Sequence, residues 1–133
     1  MTDAERTQLS PRNLVVAFYH AALTEKDPDK AALYLGDRYV QHNPMIADGP
    51  EAFLRFVRDR RDRFPEAHND VKQVIAEGNL VALHVHSVVK PGTLGRHIVD
   101  IFRVQDGKVV EHWDVIQEIT EPLYPPINDN GLF

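Results

Sequence analysis

The chain of 133 residues contains no cysteine. This absence excludes disulfides, thiol chemistry and zinc sites with cysteine ligands. The sequence also lacks the GxGxxG and GxxxxGK[ST] motifs of phosphate binding and the GxSxG motif of a nucleophilic serine. Basic residues are fewer than acidic ones, 15 against 20, and the resulting net charge of −5 argues against nucleic acid as a partner.

Long apolar runs are missing as well. No stretch approaches the roughly 20 apolar residues of a membrane span, and MTDAERTQLS does not resemble a secretory signal. We therefore expect a cytoplasmic location and no membrane partner. Since 43% of the residues are hydrophobic, the chain can bury a substantial core, and we predict a single domain over residues 1–133.

The first half of the chain has helical periodicity. The first ten residues are polar, and we expect them to be irregular. Ser10 and Pro11 form a typical helix start, and apolar residues then recur at helical spacing to about Glu25. A short second helix is predicted after Asp27. A third follows Pro50, with an apolar inner stripe and a solvated face of arginines and aspartates.

The second half changes to the period-two pattern of strands. Breaks at Gly78-Asn79 and Asp106-Gly107 predict two antiparallel hairpins. The segment 121–133 carries three of the nine prolines, so we expect an irregular tail against the surface of a core of about residues 11–120. Helices followed by strands predict an α+β fold with a curved antiparallel sheet.

The last predicted strand, VVEHWDVIQ, places His112 and Asp114 on one face among aliphatic residues. The preceding turn leaves two registers open. A two-residue type I′ loop would place Asp100 opposite Trp113, whereas a three-residue loop with Gly107 as a bulge would place it opposite His112.

We favour the three-residue loop because it gathers all three ionisable groups on one face. Four apolar residues would share that face: Ile98, Phe102, Val110 and Ile116. An apolar wall with a few converging polar groups is typical of a small-molecule pocket. The opposite face, which includes Trp113, is too apolar for water and predicts a subunit interface. The reverse assignment, with the Trp113 face as the core, remains an alternative.

The predicted wall suits acid/base chemistry. Burial among apolar groups disfavours a charged carboxylate, and a neighbouring histidine can share its proton. Such a group can take a proton from carbon and return one to oxygen. The alternative is a purely structural hydrogen bond between His112 and Asp114.

Other histidines extend the candidate site. His84 and His86 share one strand face and are candidate pocket residues; the alternative sends both imidazoles to solvent and leaves Val81, Leu83 and Val85 as core. His84, His86 and His112 with a carboxylate would satisfy the ligand count of zinc or iron. Histidines two apart are common by chance in a chain with seven, and HExxH is absent, so we predict no metal and no cofactor.

The segments RYVQHNPMIADGPEAF and VDIFRVQDGKVVEHWDVIQ together resemble the SnoaL-like family of polyketide cyclases. This family lies in the nuclear-transport-factor-2-like superfamily, as do ketosteroid isomerase and limonene epoxide hydrolase. The resemblance covers about residues 11–120. It implies a cone-shaped curved antiparallel sheet wrapped around the N-terminal helices, a deep pocket, and homodimers formed through the outer face of the sheet.

The resemblance also implies roles for individual residues. In the cyclases a pocket aspartate serves as acid/base for an intramolecular aldol closure without metal or organic cofactor, and Asp114 matches it best. His112 and Asp100 resemble its pocket neighbours, and His42 and Asn43 match the pocket-lining QHNP. The resulting hypotheses are an acid/base enzyme acting on a small hydrophobic carbonyl compound and a binding module without turnover.

Overall fold

The computed structural model describes all 133 residues and has an α+β architecture, as predicted. The helices are α1 (Asp3–Thr7), α2 (Pro11–Tyr19), α3 (Pro28–Ala32) and α4 (Pro50–Arg63). The strands are β1 (Leu35–Gln41), β2 (His68–Glu77), β3 (Leu80–Val88), β4 (Arg96–Gln105) and β5 (Lys108–Glu118). None of the helices combines the length and the apolar character that crossing a membrane requires.

The helix starts follow from capping side chains. Ser10 Oγ accepts a hydrogen bond from the Asn13 backbone N–H at 3.1 Å, so α2 begins where predicted. A π-helical turn, His20–Thr24, continues α2 to the predicted end. The expectation of an irregular N-terminus is wrong, because Thr2 and Glu5 form a reciprocal capping box that starts α1.

The curved, unclosed sheet has the strand order β1-β5-β4-β3-β2. The two predicted hairpins, β2–β3 and β4–β5, are antiparallel, but β1 runs parallel to β5. The sheet is therefore antiparallel as predicted, except at this edge. Because β1 and β5 are far apart in sequence, no turn between them signals the direction of their pairing.

Strand alternation separates a core face from an outer face. On β3 the fully buried residues are Val81, Leu83 and Val85. They belong to the same core cluster as Leu14 and Phe18 of α2, so the helices cover this face of the sheet. Residues 121–133 form no helix or strand, as predicted. The last residue, Phe133, lies on the outer face of the sheet against the imidazole of His86.

The β4–β5 turn corrects the predicted register. Asp106 and Gly107 both have positive φ, 51° and 73°, and Gln105 pairs with Lys108, so the loop has two residues. The register then shifts by one, because Val104 pairs with Val109 while Arg103 pairs with Glu111. The extra residue, Val110, is thus a bulge inside β5 rather than part of the turn.

The bulge nevertheless produces the predicted face. Beyond it, Asp100 pairs with Asp114 and Phe102 with His112, so the predicted cross-strand partners are wrong although the residues share one side. That side is the inner one, so the alternative with the Trp113 face as core is excluded. Val110 was predicted to lie on this inner face but does not. The neighbouring Val109 is buried instead.

Candidate active site

Two carboxylates and one imidazole converge on the inner face of β4 and β5. His112 Nε2 lies 2.8 Å from Asp100 Oδ1 and 3.9 Å from Asp114 Oδ2. Asp100 and His112 are each only 7% exposed. All three side chains line a cavity of about 110 Å³, together with the predicted Ile98, Phe102 and Ile116.

A wider depression of about 470 Å³ adjoins the cavity and shares several of its lining residues. Asp114 and Asn43 line both spaces, so they lie where the inner cavity meets its mouth. Pockets for small ligands usually measure about 300–1,000 Å³, which the mouth matches and the inner cavity does not. A small polar group of a ligand fits the inner cavity while the rest of the ligand occupies the mouth.

The hydrogen bonds of Gln41 define the proton on one nitrogen of His112. The Asn43 backbone N–H donates to Gln41 Oε1 at 3.0 Å, which identifies this atom as the amide oxygen. His112 Nδ1 lies 2.7 Å from the same oxygen and must donate to it. The other nitrogen, Nε2, therefore shares a single proton with Asp100, carried by one partner or the other.

A chain of hydrogen bonds fixes the second oxygen of Asp100. The Tyr19 hydroxyl donates to Asp100 Oδ2 at 3.0 Å and accepts from Asn69 Nδ2 at 2.9 Å. The Ser87 hydroxyl donates to Asn69 Oδ1 at 2.7 Å. Burial, reinforced by the charge of Asp100, raises the pKa of Tyr19 well above its ordinary value, so this hydroxyl remains a donor.

Asp114 is held from the opposite side and keeps one oxygen free. Asn43 Nδ2 donates to Asp114 Oδ2 at 2.8 Å, and Asn43 Oδ1 accepts from the Met45 backbone N–H at 2.9 Å. Asp114 Oδ1 makes no hydrogen bond to protein, and 12% of the side chain is exposed, at the mouth of the cavity. Asp114 is the carboxylate that a ligand can reach.

The same cluster could hold a metal ion. Ligand atoms of Asp100, His112 and Asp114 lie within 4.8 Å of one another, which allows one imidazole and two carboxylates around a divalent cation. The set considered from the sequence, which combined His84, His86 and His112, is not brought together. His84 and His86 point away from the inner face that carries His112.

His84 and His86 are not pocket residues, contrary to the prediction. Val81, Leu83 and Val85 fill the core, so alternation along β3 turns both imidazoles to the outer face. There the His84 ring lies 4.7 Å from the His97 ring, centroid to centroid. Phe133 packs against all three imidazoles.

His42 is also outside the pocket, and this part of the QHNP prediction is wrong. Its Nε2 lies 2.8 Å from Glu111 Oε2, and its ring stacks on Trp113 with centroids 4.8 Å apart. This contact, followed by that of Arg103, lowers the pKa of Glu111 below its ordinary value. The adjacent Asn43 faces the cavity as predicted, because successive residues of an extended segment point to opposite sides.

The sequence interpretation missed six polar side chains of the cavity: Tyr19, Gln41, Arg60, Asn69, Ser87 and Arg96. Tyr19 and Arg60 occupy inner positions of amphipathic helices, where a polar group is a detectable exception. Gln41 is the first residue of the QHNP motif, but only His42 and Asn43 of this motif were predicted to line the pocket. Its Nε2 is buried and has no hydrogen-bond partner.

The fold is therefore a curved sheet around helices, with ionisable groups facing a cavity between them. Residues 15–112 match the SnoaL-like domain family. The chain belongs to this family, which confirms the resemblance found in the sequence.

Solved structures with the same fold share about a fifth of their residues with this chain. A proposed ketosteroid isomerase from Kribbella flavida has 21% identity and a TM-score of 0.69, with 98% of this chain and 96% of that chain covered. IdmH, a proposed polyketide cyclase from Streptomyces antibioticus, has 19% identity and a TM-score of 0.64, with coverages of 81% and 92%. An NTF2-like protein of unknown function from Cytophaga hutchinsonii has 19% identity and a TM-score of 0.68, with coverages of 83% and 92%. No curated protein matches the chain.

Proposed function

We propose that this protein is an acid/base enzyme that acts on a small hydrophobic carbonyl compound, by aldol-type cyclisation or isomerisation, without a cofactor. The main support is Asp114, whose free oxygen faces the cavity beside the proton shared by Asp100 and His112. One group can accept a proton while the other supplies one. The proposed activities of the neighbouring IdmH and Kribbella structures are of these two kinds.

The proposed reaction begins with the transfer of an α-proton from the substrate to Asp114 Oδ1. The C–H electron pair moves into the enolate, whose oxygen takes the proton shared by His112 and Asp100. In isomerisation, protonated Asp114 returns its proton at a different carbon, and the enol O–H proton goes back to the His112–Asp100 pair as the carbonyl re-forms. In aldol closure, the enol carbon attacks a second carbonyl of the same molecule, whose oxygen takes the proton from Asp114 and becomes the hydroxyl. The enol O–H proton returns to the His112–Asp100 pair as the first carbonyl re-forms.

Asn43 and Tyr19 are positioning residues in this scheme. Asn43 aims Asp114 through the 2.8 Å hydrogen bond to Oδ2, which leaves Oδ1 for the substrate. Tyr19 holds the far oxygen of Asp100, so that Oδ1 stays within 2.8 Å of the imidazole. Both contacts restrict the acid/base groups to one geometry, on which general acid/base catalysis depends.

Turnover of cyclic and aromatic ketones and β-diketones, both neutral and carboxylate-bearing, by Asp114→Asn tests the proposal. The substitution preserves shape but removes the base, so turnover should fall by roughly 100-fold or more. Asp106→Asn is the matched control, because Asp106 lies in the β4–β5 turn and asparagine accepts its positive φ. Retention of most of the native rate by Asp114→Asn, with a substrate that the native protein converts, would contradict the assignment.

A non-catalytic ligand-binding module is the second candidate. The observation in its favour is the size of the inner cavity, about 110 Å³, which is below the usual range for a substrate pocket. This function predicts that a bound ketone raises the melting temperature of the native protein and of Asp114→Asn equally. Turnover would then be absent for every carbonyl compound that binds.

We also propose a homodimer through the outer face of the sheet. Ile75, Ala82, Ile101 and Trp113 are direct cross-strand neighbours there and form an apolar row across four strands. Ile75 is 64% exposed, and a contiguous apolar patch favours association. Light scattering should give twice the chain mass for the native protein and the chain mass for Ile101→Arg. A native protein of the chain mass would exclude this dimer.

A further inference from the structure

A positively charged group lies in the cavity at a position expected to be solvated. The sequence pattern predicts a solvated face for the arginines of α4, but Arg60 lines the cavity. Phe53, Phe56 and Arg60 follow one another at spacings of three and four residues, so they share one side of the helix. Arg96 of β4 lines the same cavity.

No carboxylate pairs with the Arg60 guanidinium, although it lines the cavity. Arg61 and Arg63 contact the carboxylates of Asp62 and Asp59, and Arg96 contacts Glu118. The Arg60 guanidinium instead lies 5.0 Å from the centroid of the Phe56 ring. A planar cation held over an aromatic ring keeps its N–H donors free for another partner.

The protein offers this cation little compensation. Burial, the largest effect, lowers the pKa of Arg60, and the positive charge of Arg96 acts in the same direction, whereas the charge of Asp59 on the same helix is the smallest effect and opposes them. The neighbouring Tyr19 does not supply a negative charge, because the pKa of its hydroxyl is raised by burial. Neither Asp100 nor Asp114 forms an ion pair with Arg60: their nearest polar partners are His112 and Asn43 respectively. A half-buried, unpaired guanidinium is unfavourable unless an anion joins it.

We propose that Arg60 binds a carboxylate of the substrate, so that the substrates are oxo acids rather than neutral ketones. This inference rests on the proposed function only in calling the ligand a substrate. One unpaired positive charge balances one carboxylate, and the guanidinium fork can bind both of its oxygens. A phosphate dianion would require a second unpaired cation, but Arg96 is already paired with Glu118.

The carboxylate subsite gives the ligand a direction in the cavity. Its anionic end lies at α4, beside Arg60 and Phe56, and its reactive carbonyl lies at β5, beside Asp114. The two ends are held by different groups, so Arg60 determines specificity and takes no part in proton transfer. A bound carboxylate also keeps the negative end of the substrate away from Asp100 and Asp114.

Calorimetric titration with benzoate and benzamide tests the subsite without turnover. The two probes have nearly the same shape and differ in charge. The native protein should bind benzoate at least about tenfold more tightly, the minimum expected of a charge-assisted hydrogen-bonded pair. Arg60→Gln should abolish this preference, and Arg60→Lys should restore part of it. Arg63→Gln is the matched control on the same helix and should retain the full preference.

Several outcomes would overturn the subsite. They are equal affinities for the two probes in the native protein, no binding of benzoate, and an undiminished preference in Arg60→Gln. The comparison of probes in the native protein needs no variant, so a folding defect cannot hide the answer. A preference for phenyl phosphate over benzoate would also contradict a carboxylate site.

Asp114→Asn separates this inference from the proposed function. Benzoate should bind to this variant at least as tightly as to the native protein, because one nearby negative charge is removed. If the variant keeps its turnover while native protein and variant both prefer benzoate, the acid/base assignment fails and the carboxylate subsite stands. If the variant loses turnover but the native protein does not discriminate between the probes, the reverse holds.

Discussion

Two buried tyrosines differ in whether the hydroxyl is hydrogen-bonded, so the loss of a hydroxyl can be compared in the two environments. The Tyr19 hydroxyl donates to Asp100 and accepts from Asn69, at 3.0 and 2.9 Å. The Tyr39 hydroxyl is equally buried but has no hydrogen-bond partner. Removal of each hydroxyl by substitution with phenylalanine should therefore affect stability in different ways.

The magnitudes follow from the groups that each substitution leaves behind. Tyr19→Phe deprives a buried carboxylate of a donor, worth roughly 1.5–3 kcal/mol, and an amide of an acceptor, worth roughly 0.5–1.5 kcal/mol. Since such terms do not add fully, we expect a loss of about 2–4 kcal/mol. Tyr39→Phe removes an unpaired buried hydroxyl and should leave stability unchanged or raise it by up to about 1 kcal/mol.

Urea unfolding of both variants at neutral pH measures the two free energies. The midpoint should move to lower urea for Tyr19→Phe and should stay or rise for Tyr39→Phe, with unchanged slopes. Equal destabilisation by the two substitutions, or a larger loss for Tyr39→Phe, would refute the account of the hydrogen-bond network around Asp100.

Two further predictions concern the groups around β5. Because contacts with His42 and Arg103 lower the pKa of Glu111, its charge stabilises the fold above the ordinary value of 4.5 and ceases to do so as pH falls through the lowered pKa. Glu111→Gln should therefore destabilise the protein at pH 7 by less than about 1 kcal/mol, and thermal melts should show this difference disappearing well below pH 4.5; a constant difference would contradict it. Asn43→Ala should lower kcat about tenfold with little change in KM, because the lost hydrogen bond aims Asp114 without binding substrate. Steady-state kinetics would contradict this positioning role if KM rose and kcat did not change.

Local patterns predicted most elements of the fold because the signals that set them are local. Ser10, Gly78 and Asp106 each act within a few residues, and the structure has a helix start or a hairpin turn at each. The parallel pairing of β1 with β5 depends on where the completed fold brings two distant segments, so no local pattern contained it.

The register of β4 and β5 shows how a face can be predicted correctly by a wrong route. A face that unites Asp100 with His112 requires one extra residue between the two strands, and the sequence pattern predicts it in the turn. The structure has that residue at Val110 instead, inside the strand. A bulge has no sequence signature as strong as the Asp-Gly signature of a turn. The ionisable groups can be assigned to one face without it, because residues an even number of positions apart on a strand point to the same side.

Residues of the candidate site could be predicted from the sequence only where the alternation of side chains along a strand assigned them to one face of the sheet. The inward direction of Asp100, His112 and Asp114 followed from parity, but His84 and His86 had two possible faces, and the burial of Val81, Leu83 and Val85 decided between them. Arg60 was missed because a charged residue within a run of arginines and aspartates is usually solvated. Only the position of α4 over the cavity shows that it is not.

The most direct test of the account is deuterium exchange at the α-carbon of a bound oxo acid in heavy water, followed by proton NMR. This measurement requires no complete reaction, because it detects the first proton transfer alone. We predict that the native protein and Asp106→Asn catalyse the exchange, and that Asp114→Asn does so at least about 100-fold more slowly. Exchange at the native rate by Asp114→Asn would contradict the central claim that this carboxylate is the base.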